Sequence, residues 1–541
     1  MPGLDSLISP LTDRVATLRA ATSAGLIAVG DPRSAVRAVL ALRSWGPSPA
    51  AGCVASALRY PGEPAVVDEQ GTLTFKELDG QSNALAHSLS ERGIGEGSGV
   101  AVMCRNHRGF LLATVAISKL GAHAIFLNTS FAGPQLVDVA TREGTDAIVL
   151  DEEFLALADG LSEEVVLVRS GVERVPTGHS SVPTLAKLIK AGSLEQLDPP
   201  SETGRFVILT SGTTGTPKGA RRGAPDGLTS AAALLEAIPF HARETTVIAA
   251  PQFHAWGFAH SLLALALSST VVLRRKFDPA QTLADVERTR ATALIVVPVM
   301  LQRIMELPTK TRRKYDLTSL KVIAVSGSAL PGQLATRVLD EFGEVLYNLY
   351  GSTEVSWATI ATPDDLRAAP GTAGKPPRGT VVKLLLEDDS EAPTGEIGRI
   401  FVGSELAFEG YTGGGSKDVV RGLMATGDVG RFDSEGRLFI EGRSDDMIVS
   451  GGENVFPREV EDLLAEHPEV AEVAVLGVPD NQFGQRLAAY VVLEPDGKAS
   501  ETELRGYVKA NLARYKVPRD VTFIAELPRN PAGKVLKRQL S

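Results

Sequence analysis

Phe206–Arg222 reads FVILTSGTTGTPKGARR. Phe206–Leu209 is a short apolar run of the kind that forms a buried strand, and a loop rich in glycine and hydroxyl residues follows it directly. Glycines such as Gly212 let backbone N–H groups approach an anion. The hydroxyls of Thr210, Ser211, Thr213 and Thr214 add donors, and Lys218 adds positive charge. Together these are the parts of a phosphate cradle. It is not a Walker A loop, because the order G-x-x-x-x-G-K-[ST] is absent. On spacing alone, a polar connection between strands is the alternative.

Working outward, the chain alternates short β-branched runs with amphipathic, helix-length segments. VAVM (100–103), AIFL (124–127), AIVL (147–150), TVIAA (246–250), TVVL (270–273), LIVV (294–297), KVIAV (321–325) and VLYNL (345–349) read as strands. Such spacing predicts an α/β fold with parallel-rich sheets flanked by helices, and ligands bound at loops beyond the strands' carboxyl ends. After Gly427 the texture changes. GRFDSEGRLFIEGR predicts a hairpin turning at Ser434–Gly436. PREVEDLLAEHPEV predicts a helix, VAEVAVLGV and RLAAYVVLEP strands, and ETELRGYVKANLARY a second helix. The expected division is an N-terminal helical segment (1–45), a large domain (46–443) and a small mobile α+β domain (444–541).

The chain has 541 residues, more than one core usually supports, so at least two domains are expected. Lys and Arg number 55 against 65 Asp and Glu, a net charge of −10 that argues against nucleic acid as a partner. Cys53 and Cys104 have no metal-like spacing and read as reduced thiols. No signal-peptide pattern is visible, and the most apolar stretch, 261–273, is too short to span a bilayer, so a cytoplasmic protein is expected. SLISPLTDRVATLRA and RSAVRAVLALRSW read as amphipathic helices with Arg on the polar side. Packing on the main domain is their common fate, and a peripheral membrane contact is the sharper reading.

SGTTGTPKG resembles the phosphate-loop signature of the adenylate-forming superfamily, which includes acyl-CoA synthetases. LTFKEL (73–78), LGAHAIFLN (120–128), PQFHAWG (251–257), SGSALP (326–331), YGSTE (350–354), TGD (426–428), GRSDDMI (442–448), GGENVFPREVE (451–461) and PRNPAGK (528–534) resemble its other motifs, in order. The likeness covers about residues 70–541.

The resemblance implies roles for particular residues. The reaction joins two anions, a carboxylate and the α-phosphate of ATP, so donors, cations and Mg²⁺ must gather there. Thr353 would contact the α-phosphate, Glu354 would hold Mg²⁺, and Asp428 would accept the ribose hydroxyls. Gly327, Ser328 and Ala329 would line the adenine slot, with Tyr350 stacking on the ring and Gly351 beside it. Arg443 would reach the phosphates, and Lys534 would bridge carboxylate and α-phosphate. His254 would be an aromatic gate at the acyl site. Asp445 would be the hinge, and Gly451 and Gly452 would meet CoA. As bland alternatives, Glu354 is a polar loop residue, Asp428 and Asp445 are turn residues, Tyr350 is a core tyrosine and Lys534 is a solvated tail residue.

The resemblance therefore implies a fatty acid–CoA ligase that uses ATP, Mg²⁺ and coenzyme A. The alternatives are a fatty-acyl-AMP ligase loading a carrier protein, or an aryl or short-chain acyl-CoA ligase. The apolar segments PQFHAWGF and VVPVMLQRIM lack a cation suited to a second carboxylate. No carrier domain follows in the sequence, and no obligate protein partner is evident. The sequence departs from the family pattern in the Gly triplet of FEGYTGGGSKDVV, and residues 1–45 match no motif.

Overall fold

The computed structural model describes residues 16–17, 19–26, 32–171, 179–210, 218–222, 229–404, 408–412, 414, 416–444, 446–450, 453–480, 484–531 and 533–540. Two large sheets carry the bulk of the chain. The first has eight strands, with Val322–Val325, Ala293–Val296, Thr245–Ile248 and Thr270–Leu273 running parallel at its centre and antiparallel hairpins at both edges. The second has seven strands. Phe206–Thr210, His123–Phe126, Gly99–Met103, Thr145–Leu150 and Val166–Arg169 are parallel, and Lys218–Arg222 and Phe408–Tyr411 are added antiparallel.

The predicted central strands fall where expected because they are mostly buried runs in sheets covered on both faces. Gly99–Met103 and Ala293–Val296 are buried at every position. The helix Arg108–Lys119 is buried from Gly109 onward. Phe126 ties the sheets together: its ring lies 5.1 Å from Phe110 and 4.6 Å from Phe258, and Phe206 is 5.0 Å from Phe258. LTFKEL marks a helix start. Thr74 Oγ1 accepts from the Glu77 N–H at 3.2 Å and Glu77 Oε2 accepts from the Thr74 N–H at 2.8 Å, a capping box that sends Phe75 and Leu78 into the core.

A third sheet, of five strands, is antiparallel: Val381–Leu385, Gly398–Gly403, Leu423–Phe432, Val419–Val420 and Leu438–Arg443. The hairpin predicted around Ser434–Gly436 closes Phe432 onto Leu438. The C-terminal residues form a fourth sheet with its own core of Ile448, Val460, Leu464, Val475, Leu487 and Leu504. There the helix predicted over 457–470 stops at Ala465, and the segment from Val470 is strand. His467-Pro468 explains the stop, because a proline disfavours helical backbone at the residue before it. No described helix is long and apolar enough to cross a membrane.

Candidate active site

One cleft, about 2720 Å³ in volume, runs between the large sheets and the C-terminal segment. Most of the described residues singled out by sequence border it: His254, Gly327, Ser328, Ala329, Tyr350, Gly351, Thr353, Glu354, Asp428, Arg443 and Lys534. The strand Phe206–Thr210 ends at Thr210, whose backbone pairs with Lys218. The loop of the sequence signature thus joins two hydrogen-bonded antiparallel strands. Ser211, Gly212, Thr213 and Thr214 lie outside the described residues, as do the hinge candidate Asp445 and the CoA-site candidates Gly451 and Gly452.

Tyr350 and Asp428 come from different sheets and meet in the cleft. The Tyr350 hydroxyl donates to Asp428 Oδ2 at 2.6 Å, and Arg443 Nη1 stands 3.6 Å from Oδ1. Burial raises the Asp428 carboxyl above its ordinary value, opposed by the Tyr350 hydrogen bond and by the charges of Arg443, Lys534 and Lys417. Burial also pushes the Tyr350 phenol well up, with the Asp428 charge adding to it. The pair is therefore a phenol donor on a carboxylate, with one carboxylate oxygen turned toward cations. Gly427, just before Asp428, has φ +85°, and a Cβ there would come within 3.0 Å of Arg443 Nη2 and 3.5 Å of Lys417 Nζ. Only glycine leaves that space to the cations.

Glu354 is held from the second sheet. The Tyr411 hydroxyl donates to Glu354 Oε1 at 2.7 Å, and the Ser352 hydroxyl accepts from the Glu354 N–H at 3.2 Å. Tyr411 ends the strand Phe408–Tyr411, which pairs with Lys218–Arg222. Register therefore fixes the distance between Glu354 and the strand that leaves the phosphate-loop segment. The second oxygen of Glu354 gives the cleft a hard, anionic ligand of the kind Mg²⁺ prefers. Gly327, at the end of Val322–Val325, has φ +96°, which lets the chain turn flat along the slot.

Lys534 sits on a tight turn. Its N–H donates to Asn530 Oδ1 at 2.9 Å, the Gly533 N–H donates to the Asn530 carbonyl at 2.8 Å, and Arg529 Nη1 donates to the Gly533 carbonyl at 2.8 Å. Arg529 is itself anchored to Glu472 at 3.0 Å. Gly533, at φ +81°, lies against Val297 and Val299, where a Cβ would overlap Val299. P-A-G-K thereby presents an exposed lysine to a cleft that also holds the Asp428 carboxylate.

His254 begins the helix Ala255–Ala266 and lies 4.4 Å from the Phe253 ring. Its Nε2 is buried without a hydrogen-bond partner among the described residues, and burial lowers the imidazole to about 4. The ring is therefore neutral at pH 7 and forms part of the cleft lining. Behind it, Gly257 packs against the Ala250 carbonyl, and Trp256 Nε1 donates to the Val296 carbonyl at 3.0 Å. These contacts explain P-x-F-H-x-x-G as a bend between two backbones. Leu262, Leu263 and Ala266 continue an apolar wall toward Ala51 and Gly52.

The model of the AMP-binding enzymes matches residues 53–412, and that of their C-terminal domain matches residues 459–534. The chain belongs to the AMP-binding enzyme family. Its members are adenylate-forming enzymes, among them acyl- and aryl-CoA ligases that use ATP, Mg²⁺ and CoA. The chain is similar to an indoleacetate–CoA ligase of Aromatoleum aromaticum, at 31% identity over 487 residues that cover 88% of this chain and 94% of the relative. A feruloyl-CoA synthase of an Amycolatopsis species is 33% identical over 477 residues, covering 86% and 93%. Among solved structures, the o-succinylbenzoate CoA synthetase of Bacillus subtilis in complex with its acyl-adenylate superposes with TM-score 0.78 at 27% identity, covering 91% of this chain and 97% of that one.

For this AMP-binding enzyme, sequence reasoning missed Tyr411, Lys417 and the Arg529–Asn530 support of Lys534. Tyr411 stands in FEGYTGGG, the segment that departs from the family pattern, and only strand pairing reveals its bond to Glu354 across 57 residues. Lys417 follows the same glycines, and nothing in its spacing signals Asp428.

Proposed function

We propose that this chain activates an apolar carboxylic acid as its acyl-adenylate and passes the acyl group to coenzyme A. The observation that carries the reading is the gathering of Glu354, Asp428, Arg443 and Lys534 in one cleft that Trp256, Leu262, Leu263 and Ala266 also line. Asp428 would accept the ribose hydroxyls, held for that purpose by Tyr350, with the nearby cations opposing the burial that raises its carboxyl. The Tyr350 ring would lie along the adenine, beside Gly327, Ser328, Ala329 and Gly351. Arg443, Thr353 and Lys218 would hold phosphate oxygens, together with the loop donors Thr210, Ser211, Gly212, Thr213 and Thr214. Mg²⁺ at Glu354 would spread phosphate charge as it builds. Lys534 would sit between the acid's carboxylate and the α-phosphate, neutralising two anions at the moment of attack.

The second half-reaction needs room for a thiol where Lys534 stood. We assign residues 46–443 and 444–541 to two units that turn about Asp445, which brings Gly451 and Gly452 toward CoA. His254, neutral and at the head of the acid passage, would gate the carboxylate end.

For the acid, the apolar wall of Trp256, Leu262, Leu263 and Ala266 supports an aliphatic acid of medium or long chain. An aryl acid is the second reading, supported by the indoleacetate and feruloyl relatives. A CoA-dependent AMP-release assay with acetate, octanoate, palmitate, indoleacetate and ferulate separates them. The first reading expects the highest kcat/KM with octanoate or palmitate. A maximum with an aryl acid establishes the second, and a maximum with acetate removes both.

A further inference from the structure

The helix Pro32–Trp45 is inside out. Its buried face is made of Ala38, Ala41 and Trp45, and Ala41 and Trp45 cluster with Ala50, Ala51 and Val54 of the helix Pro49–Arg59. Its large aliphatic residues face the other way: Val36 is 59% exposed, Val39 64%, Leu40 60% and Leu42 47%. These are four of the ten large apolar residues exposed among the described residues, gathered on one helix of fourteen. Val36, Val39, Leu40 and Arg43 follow the i, i+3, i+4, i+7 spacing and so form one stripe. Arg33 and Arg37 lie along one flank. The helix PRSAVRAVLALRSW contains three arginines and no acid, in a chain whose net charge is −10.

An aliphatic stripe bordered by arginine, with no acidic residue, matches an anionic bilayer surface. The stripe enters the acyl boundary while guanidinium groups stay with the headgroups. The other flank reaches the cleft, since Val39, Leu42 and Arg43 border its mouth beside Gly46 and Ala51. A surface-seated helix would therefore hold that mouth against the phase in which water-insoluble acids are dissolved.

We propose that Pro32–Trp45 is an interfacial helix that docks this enzyme on anionic lipid, with the cleft mouth at the membrane surface. The docking itself does not depend on which acid is activated, so its test is separate from the substrate assay. The full chain is sedimented with vesicles of phosphatidylcholine alone and with an equimolar mixture of phosphatidylcholine and phosphatidylglycerol. The variants are Val36→Asp combined with Leu40→Asp, and Arg37→Gln; none of these residues borders the cleft. Wild type is expected with the anionic vesicles and to be released by salt. The double variant should lower the partition coefficient about tenfold or more, and Arg37→Gln should lower it about fivefold. Melting temperature and AMP release with octanoate in free solution should match wild type. The proposal is overturned if wild type stays in the supernatant with both vesicles, or if the double variant sediments like wild type. It is equally overturned if removal of residues 1–15 alone abolishes binding, or if wild type is a dimer without lipid and the double variant a monomer.

Discussion

Replacing Tyr350 with phenylalanine removes one oxygen and keeps the ring that would lie on the adenine, so it isolates the hydroxyl's bond to Asp428. That bond is 2.6 Å long and reaches a carboxylate whose side chain is 16% exposed. Hydrogen bonds to charged groups contribute about 1.5–3 kcal/mol. The lower end applies, because Arg443, Lys534 and Lys417 remain to oppose the burial that raises the Asp428 carboxyl. About 1.4 kcal/mol corresponds to one pH unit and to a tenfold change in an equilibrium. Tyr350→Phe should therefore move the acidic limb of kcat/KM for ATP upward by about one unit. AMP affinity at pH 7 should fall by roughly tenfold. The direction follows from Asp428 working as an anion: losing a donor to the ionised form makes protonation easier, so activity is lost at a higher pH. Pyrophosphate exchange across pH, with calorimetric titration of AMP, reads both quantities. An unmoved acidic limb together with unchanged AMP affinity would refute the assignment of the Tyr350–Asp428 pair to the ribose.

The other expectations are shorter. Glu354→Gln should lower adenylation by several orders of magnitude with the fold intact, and Tyr411→Phe should raise the Mg²⁺ concentration for half-maximal exchange about tenfold; unchanged Mg²⁺ dependence in both variants removes Glu354 from metal binding. Gly427→Ala places a Cβ at positive φ beside Arg443 and should cost about 1–2 kcal/mol of stability together with a raised KM for ATP, which thermal melts and steady-state kinetics measure. Burial lowers His254 and His260 from the ordinary 6.5 to about 4, so the unfolded chain takes up these protons first, and the stability they contribute above pH 6.5 is lost as pH falls toward 4. Denaturant titrations from pH 7 to pH 4.5 should show that loss, and the combined His254→Phe and His260→Phe variant should show less of it.

Much of the fold is legible in the sequence because its central strands are buried on both faces. VAVM, AIFL and LIVV carry no polar residue to misplace them, and helix starts such as Thr74–Glu77 announce themselves by local capping. Lys218–Arg222 is a strand that the sequence hides, since KGARR has no β-branched residue and belongs to the sheet only through pairing with Phe206–Thr210. Tyr411 hides for the same reason: its partner Glu354 is remote, and register alone brings them together. The helix Pro32–Trp45 was legible as a helix. Which face it buries was not, because small alanines and not the aliphatic residues make the packed side.

In the proposed mechanism Lys534, on the turn facing the cleft that holds Asp428, serves acid activation and leaves before acyl transfer to the thiol. The most direct measurement is Lys534→Ala, read separately in the two half-reactions: pyrophosphate exchange for adenylation, and single-turnover thioester formation from supplied acyl-adenylate and CoA. Exchange should fall by about a hundredfold or more, the scale of losing one charge-stabilising group, while thioester formation stays near wild type. Equal losses in both half-reactions, or exchange at the wild-type rate, would contradict it.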